Sequence, residues 1–206
     1  MGLFSKDIAS FSDEQLIALL STKRKNEALT QLHTKYAKRV LGFFVKMLRG
    51  DVEKAQDFTQ ELFMRILEKH GQFDPTRKFY TWMFTIASNM CKTEFRKPIL
   101  NRLSGDEHEF NQSAQWNELG MDKKAFREAL DKAINKLGGQ HQLTFVLRYM
   151  QEVSLNEISE ITNVSLGTVK SRLFYATKKV TEGIREFNPS GERIGKSFSD
   201  GTNNTI

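Results

Sequence analysis

Residues that often reveal chemistry are scarce in this chain. Only one cysteine, Cys91, occurs among the 206 residues, which excludes an internal disulfide and fits a reducing compartment. The four histidines (His33, His70, His108 and His141) are scattered and have no cysteine or carboxylate partner at ligand spacing. The sequence therefore predicts no metal site.

Long apolar runs and catalytic patterns are missing as well. No stretch reaches the roughly 18 apolar residues that a membrane-spanning helix needs, and the start, MGLFSKDIAS, lacks the apolar core of a secretory signal. We therefore expect a cytoplasmic protein. No nucleophile with an ordered base, phosphate-cradling glycine loop or paired carboxylates can be recognised, so we expect no catalytic residue, no cofactor and no small-molecule substrate.

What the chain does contain is helical periodicity, with 39% apolar residues and a net charge of +6. That charge is compatible with a polyanionic partner such as nucleic acid. The apolar spacing predicts an all-α fold of two small helical domains joined by a flexible linker, the second with a helix-turn-helix. The predicted boundaries are residues 1–97, a linker at 98–121, residues 122–188, and a disordered tail at 189–206.

Residues 152–176 form the predicted helix-turn-helix. Ser154 and Glu157 make a capping box, Asn163 can adopt the left-handed conformation of a turn, and Ser165 is a second N-cap. The second helix buries an apolar stripe and leaves a polar, partly basic face that suits the major groove. A helical hairpin with a solvated face is the alternative. The candidate DNA-contacting residues are Ser165, Thr168, Lys170, Ser171, Arg172, Phe174 and Tyr175.

The helix predicted at 79–97 interleaves aromatic residues with cations. Bases of a single strand can stack on the rings while the cations follow the backbone. The periodicity favours a core role for Phe79, whereas Trp82 fits either role, and Tyr80 and Asn89 are as consistent with binding as with structure. The candidate residues are Phe79, Tyr80, Trp82, Ser88, Asn89, Lys92 and Arg96.

The helix that begins after Asp51 carries an acidic face. Its members lie three or four residues apart and are therefore neighbours on the helix surface. From the residues alone a solvated face is favoured over a docking surface for a basic partner. The face comprises Asp57, Gln60, Glu61, Met64 and Glu68.

Three stretches together resemble one protein family. DFTQELF at 57–63, FYTWMFTIASN at 79–89 and EVSLNEISEITNVSLGTVKSRLF at 152–174 are similar to the bacterial extracytoplasmic-function sigma factors of the sigma-70 family. The stretches occur in the family's order and at its spacing, and the resemblance covers about residues 12–187.

The resemblance implies a role for each domain. The first would be sigma region 2, in which Asp57, Gln60, Glu61 and Met64 dock on the clamp of the polymerase's largest subunit. This reverses the preference for a solvated face. The helix through Asn89 would capture a flipped base of the minus-ten promoter element, and the helix-turn-helix, as region 4, would read the minus-thirty-five element. The implied partners are core RNA polymerase, at its clamp and flap, promoter DNA and an anti-sigma factor. Such a factor can hold the protein at the inner membrane, as part of a stress response.

The chain also departs from the family at particular positions. Leu137 is followed by Gly138 and Gly139 where the family often has Leu-Pro, which is expected to loosen the start of the second domain. Tyr175 and Thr177 stand where many members have arginine, and Thr93 where many have aspartate. Two rival functions remain, a stand-alone helix-turn-helix regulator and an enzyme that acts on nucleic acid.

Overall fold

The computed structural model describes residues 8–96 and 123–187, which form helices and no strand. This confirms the predicted all-α fold class. The predicted linker at 98–121 and tail at 189–206, with the ends of the predicted domains, lie outside the described residues. The helices are α1 Asp13–Leu19, α2 Lys25–Met47, α3 Val52–Lys69, α4 Phe79–Arg96, α5 Lys123–Asn135, α6 Gly139–Phe145, α7 Leu155–Thr162 and α8 Leu166–Gly183. Helix α6 continues as a π-helical turn, Val146–Met150.

Side chains at the helix starts satisfy amides that the helices leave free. Ser12 before α1 and Ser154 before α7 each form both hydrogen bonds of a capping box. Asp51 accepts from the Lys54 amide at the start of α3, and Ser165 caps α8. The caps at Ser154 and Ser165 were predicted from the sequence, and each of the four caps stabilises its helix by about 0.5–2 kcal/mol.

Helices α1 to α4 surround an aromatic core. Phe43, Phe44 and Phe84 are fully buried, and the Phe43 ring meets Phe84 edge to face at 5.1 Å between centroids. Each such side chain stabilises the fold by about 1.5–3 kcal/mol through the area it removes from water. An ion pair crosses the same group of helices, from Lys54 Nζ on α3 to the buried Glu94 Oε1 on α4 at 2.6 Å. This pair ties the C-terminal end of α4 to α3.

Helices α5 to α8 add the buried side chains around the helix-turn-helix to the same hydrophobic cluster. The predicted apolar stripe of α8 is buried, including Val169 and Leu173. At its end α8 lies against α5 so closely that a Cβ on Gly183 would stand 2.6 Å from the Ala133 Cβ. Close approach of two helix backbones therefore requires glycine at this position.

The two groups of helices are packed against each other. Helix α2 contacts α5 and α6, and α4 contacts α6 and α7. Lys46 on α2 forms an ion pair with Asp131 on α5, and the Lys46 carbonyl accepts a hydrogen bond from Gln142 Nε2 at 2.7 Å. A Cβ on Gly139 would stand 2.8 Å from the Phe95 ring. The start of α6 is therefore closely packed at Gly139, where the sequence predicts a looser connection.

Candidate polymerase and promoter interfaces

One face of α3 is polar, acidic and exposed. Asp57, Gln60, Glu61 and Met64 are all accessible to solvent, and Met64 has 58% of its surface exposed. Glu61 Oε1 accepts from Arg65 Nε at 2.7 Å within the helix. An exposed pair of this kind contributes little to stability. The arrangement leaves an apolar side chain beside carboxylates that are available to a basic partner.

Helix α4 presents its predicted DNA residues at three different depths. Asn89 and Arg96 are exposed, Tyr80, Trp82 and Lys92 are half-buried, and Phe79 and Ser88 have no exposed surface. The buried position of Phe79 agrees with the core role that its periodicity favours. In this arrangement neither Phe79 nor Ser88 can touch a nucleic acid directly.

Trp82 packs against the loop that precedes α4. Its ring lies 5.3 Å from the Phe73 ring and 6.1 Å from the Phe79 ring. In the same loop Asp74 Oδ1 accepts from the amide and the hydroxyl of Thr76, which makes a tight turn. The loop and the first turn of α4 therefore form one aromatic unit, with part of the Trp82 ring accessible.

The side of α4 that carries Tyr80 and Lys92 faces the second group of helices. The Tyr80 hydroxyl donates to the Gln151 carbonyl at 2.9 Å, and Lys92 Nζ donates to the Thr162 carbonyl at 3.2 Å. Burial raises the pKa of the Tyr80 hydroxyl to about 12. Two residues predicted to bind promoter DNA thus use their polar atoms inside the protein.

Cations gather around Lys92. Burial lowers the pKa of its amine, and the positive charges of Arg172 on α8 and Arg96 on α4 lower it further. Arg172 thus adds its positive charge from the second group of helices to the charges of Lys92 and Arg96 on α4. A cluster of three cations attracts anionic groups.

The helix-turn-helix has the local geometry that its sequence predicts. Asn163 adopts a left-handed conformation with φ of 54° between α7 and α8. The Ser165 hydroxyl accepts from the Thr168 amide at 3.2 Å and lies 2.9 Å from the Thr168 hydroxyl. Both hydroxyls are therefore partly engaged in starting α8.

The outer face of α8 is accessible. Ser165, Lys170, Ser171, Phe174 and Tyr175 are exposed, and Thr168 and Arg172 are half-buried. Phe174 is 66% and Tyr175 55% exposed, with ring centroids 5.5 Å apart. Two large exposed aromatic side chains on one helix suit contact with apolar groups of a partner, such as thymine methyl groups in the major groove.

Arg39 is a residue that sequence reasoning missed. Its guanidinium lies over the Tyr80 ring, 5.1 Å from the centroid, and its Nη2 donates to the Gln151 carbonyl at 2.7 Å. Arg39 lies on α2, far in sequence from both partners, and no local pattern marks it. Only the packing of α2 beside α4 brings it to this surface.

Residues 8–96 and 123–187 contain neither a metal-binding cluster nor a membrane-spanning helix. Within these ranges no cluster of three or more histidine, cysteine, aspartate or glutamate residues has a geometry that could hold a metal ion. Cys91 is buried, which raises the pKa of its thiol, and the nearby Glu94 raises it further. No helix in the described ranges has the length and apolar character to cross a bilayer.

Comparison with known proteins assigns a family to each group of helices. Residues 32–98 match the family model Sigma-70 region 2, and residues 127–180 match Sigma-70, region 4. The two matches together cover more than half of the chain. A protein with both regions is a promoter-recognising factor of RNA polymerase.

Several curated relatives have the same organisation. The chain is 29% identical over 174 residues to the ECF RNA polymerase sigma factor SigW of Bacillus subtilis, covering 80% of this chain and 92% of the relative. It is 26% identical over 183 residues to the RNA polymerase sigma-H factor of Pseudomonas aeruginosa, covering 84% and 94%. The chain belongs to the sigma-70 family of RNA polymerase sigma factors, in the extracytoplasmic-function (ECF) group.

Solved structures share the fold. The sigma factor RpoE of Bartonella quintana, crystallised with the anti-sigma factor NepR, superposes with a TM-score of 0.60 at 22% identity, covering 76% of this chain and 96% of that one. CnrH, solved in complex with the cytosolic domain of CnrY, gives a TM-score of 0.62 at 18% identity, covering 84% and 97%. At these identities the likeness concerns the fold.

Proposed function

We propose that the two domains divide the work of promoter recognition. Residues 1–97 bind core polymerase and open the minus-ten element, and residues 122–188 bind the minus-thirty-five element. Residues 98–121 connect the two, and 189–206 form a tail. The proposal is carried by one observation, that the region 2 and region 4 matches fall on separate groups of helices, each with an accessible polar helix face.

The proposed polymerase contact is the exposed face of α3. Asp57 and Glu61 would pair with basic side chains of the clamp, Gln60 would add hydrogen bonds, and Met64 would fill an apolar gap. Support comes from the exposure of all four side chains and from the weak internal pairing of Glu61. The flap of the polymerase is the corresponding partner proposed for the C-terminal domain.

The proposed minus-ten contact is α4, and its exposed polar residue is Asn89. An amide both donates to and accepts from a base edge, and Lys92 and Arg96 would neutralise phosphates. Trp82 and Tyr80 would supply ring surface for an unstacked base. Phe79 and Ser88 belong to the same helix but are buried, so we assign them a supporting role in holding their neighbours.

Base capture accounts energetically for strand opening. Flipping a base out of the duplex costs a few kcal/mol of lost stacking, and stacking on an aromatic side chain returns about 1–3 kcal/mol. Capture of the flipped base can therefore stabilise a strand separation that thermal fluctuation produces. In this proposal the factor itself performs no chemical step, because phosphoryl transfer belongs to the polymerase.

The proposed minus-thirty-five contact is the outer face of α8. Arg172 and Lys170 would bind bases or phosphates, Ser165, Thr168 and Ser171 would add hydrogen bonds, and the rings of Phe174 and Tyr175 would meet thymine methyl groups. The exposure of these side chains supports this assignment. Fewer cations on this helix than is common in the family imply an unusual upstream sequence.

We further propose an anti-sigma factor as a partner, working with this protein in the cytoplasm or at the inner membrane. Support comes from RpoE and CnrH, which have the same fold and were solved in complexes with NepR, an anti-sigma factor, and CnrY. The alternative of a stand-alone helix-turn-helix regulator does not require a region 2 domain and is not favoured.

The deciding experiment is transcription in vitro with purified core polymerase on a library of randomised promoters. We expect the protein to bind core polymerase and to enrich templates with two separated conserved elements. Absence of binding to core polymerase, or enrichment of an upstream element alone, would contradict the proposal.

A further inference from the structure

The N-cap residue of α4 has a side chain that does not cap a helix. The Lys78 carbonyl accepts from the Trp82 amide at 3.2 Å, which makes Lys78 the N-cap residue. A charged lysine amine donates hydrogen bonds and accepts none, and its charge is unfavourable at the positive end of a helix dipole. Asp74, the nearest carboxylate in the preceding loop, accepts from the amide and the hydroxyl of Thr76. The free amides in the first turn of α4 therefore need an acceptor from elsewhere.

Glu14 on α1 supplies such an acceptor. Its Oε1 accepts from the Phe79 amide at 3.2 Å, across 65 residues of sequence. Helices α1, α3, α7 and α8 are each capped by the side chain of their own N-cap residue, whereas this cap comes from another helix. We infer that Glu14 is a positioning residue for promoter opening, because it fixes the first turn of the helix that captures the minus-ten base. The inference rests on the proposed role of α4.

The charged form of Glu14 is favoured at this place. Partial burial acts to raise the pKa of its carboxyl, but hydrogen bonds from the amides of Glu14 and Phe79 and from Ser12 outweigh burial, and the charge of Lys35 adds to them, so the pKa is lowered. A negative charge beside the start of a helix is also stabilised by the helix dipole. Glu14 lies in the first turn of α1 and therefore serves the starts of two helices.

The neighbouring residue, Asp13, supports the same turn of α4 through a ring. Its carboxylate accepts from the Tyr36 hydroxyl and from Lys35 Nζ, the latter at 2.7 Å. The Tyr36 ring is buried and lies 5.5 Å from the Phe79 ring. The first turn of α1 thus fixes the amide of Phe79 through Glu14 and the ring of Phe79 through Asp13 and Tyr36.

Phe79 connects this support to the proposed DNA surface. Its fully buried ring lies 6.4 Å from the Phe73 ring and 6.1 Å from the Trp82 ring. Closely packed rings do not move independently of their neighbours. A shift in the first turn of α4 therefore displaces Trp82 and the loop before the helix. Glu14 acts on promoter opening through Phe79 and needs no contact with DNA.

Two substitutions in the full chain separate the reach of the Glu14 side chain from its charge. Glu14→Asp keeps the charge but withdraws the acceptor by one methylene, which places it beyond hydrogen-bond distance of the Phe79 amide. Glu14→Gln keeps the length and an acceptor oxygen but removes the charge. Glu27→Asp is the matched control, because Glu27 is an exposed glutamate in the first turn of α2.

Three quantities are measured for each variant. They are the hydrogen-exchange rate of the Phe79 amide by NMR in the free protein, the open-complex equilibrium constant by permanganate footprinting with reconstituted holoenzyme, and the affinity for core polymerase. For Glu14→Asp we expect faster exchange and a loss of opening of about 2- to 30-fold, the factor that corresponds to a lost helix cap. Affinity for core polymerase should equal that of Glu27→Asp. Glu14→Gln should restore slow exchange and most of the opening.

Three results overturn the inference. If the Phe79 amide exchanges no faster in Glu14→Asp than in Glu27→Asp, the cap does not protect α4 in solution. If exchange is faster but opening is unchanged, the cap does not position the minus-ten surface. If opening and polymerase affinity fall together, or Glu14→Gln restores neither exchange nor opening, Glu14 acts through general stability or through its charge.

Asn89→Ala, measured in the same footprinting series, distinguishes failure of the inference from failure of the proposed function. If Asn89→Ala opens the promoter as well as the wild type does, the proposed role of α4 in base capture is contradicted. The exchange rate of the Phe79 amide does not depend on that role, so it reports on the cap alone.

Discussion

Replacement of Asn89 by alanine separates a role in DNA opening from a role in folding. The Asn89 side chain is exposed on α4, and its one hydrogen bond to another described side chain is a long contact of 3.5 Å from Lys92 Nζ. Exposed substitutions without special contacts change stability by no more than about 0.5 kcal/mol. The free energy of unfolding should therefore stay close to that of the wild type.

The expected effect on promoter opening is much larger. An amide that pairs with a base edge contributes about 1–3 kcal/mol, which corresponds to about a 5- to 150-fold loss in the open-complex equilibrium constant. Affinity for core polymerase should remain unchanged, because Asn89 does not lie on α3. Asn89→Asp retains the size of the side chain but replaces the donor with a negative charge near phosphates, so it should lose at least as much.

The assay is permanganate footprinting of the minus-ten region with reconstituted holoenzyme, paired with a separate measurement of polymerase affinity. Thr93→Ala is the control, because Thr93 is exposed one turn further along the same helix and its hydroxyl donates to the Asn89 carbonyl. The control should leave opening near the wild-type level. Equal loss of opening and polymerase affinity in Asn89→Ala, or loss of folding stability, would refute the assignment.

Two further substitutions test the other proposed surfaces. Combined Asp57→Lys and Glu61→Lys should weaken binding to core polymerase at least tenfold, about 1.4 kcal/mol, without unfolding the protein. The control Glu27→Lys on α2 should leave this affinity unchanged. Unchanged affinity of the double variant in a pull-down titration would count against the docking role. Arg172→Ala should weaken binding to the upstream element by about 1–3 kcal/mol if it makes a bidentate base contact, compared with Lys179→Ala as control on the same helix. If the loss in a gel-shift series is equal on every sequence, Arg172 contacts phosphate alone.

The predicted helix starts and buried stripes show how far local sequence patterns reach. Ser154 and Ser165 cap helices as predicted, and the Asn163 turn adopts its left-handed conformation. These features depend on residues within four positions of one another, so they can be recognised from a short stretch of sequence. Family resemblance added the pairing of region 2 with region 4, which the comparisons confirm.

Local patterns were less informative about individual side chains of α4. The sequence left Tyr80 and Asn89 open between binding and structure, and the structure separates them, since Asn89 is exposed while Tyr80 bonds to Gln151. Ser88 was grouped with the DNA residues but lies fully buried. A helical wheel assigns a residue to a face, but it does not say what covers that face.

The helices, their buried stripes and the family can be inferred from the amino-acid sequence, because each follows from residues close together or from an ordered set of motifs. Three contacts become visible only in the folded protein: α4 meets α7, Arg39 stacks on Tyr80, and Gly139 makes room for Phe95. The partners in these contacts lie more than 40 residues apart along the chain. Periodicity encodes which face a helix buries, whereas the choice of partner depends on the combined shape and charge of surfaces that form only when both groups of helices have folded.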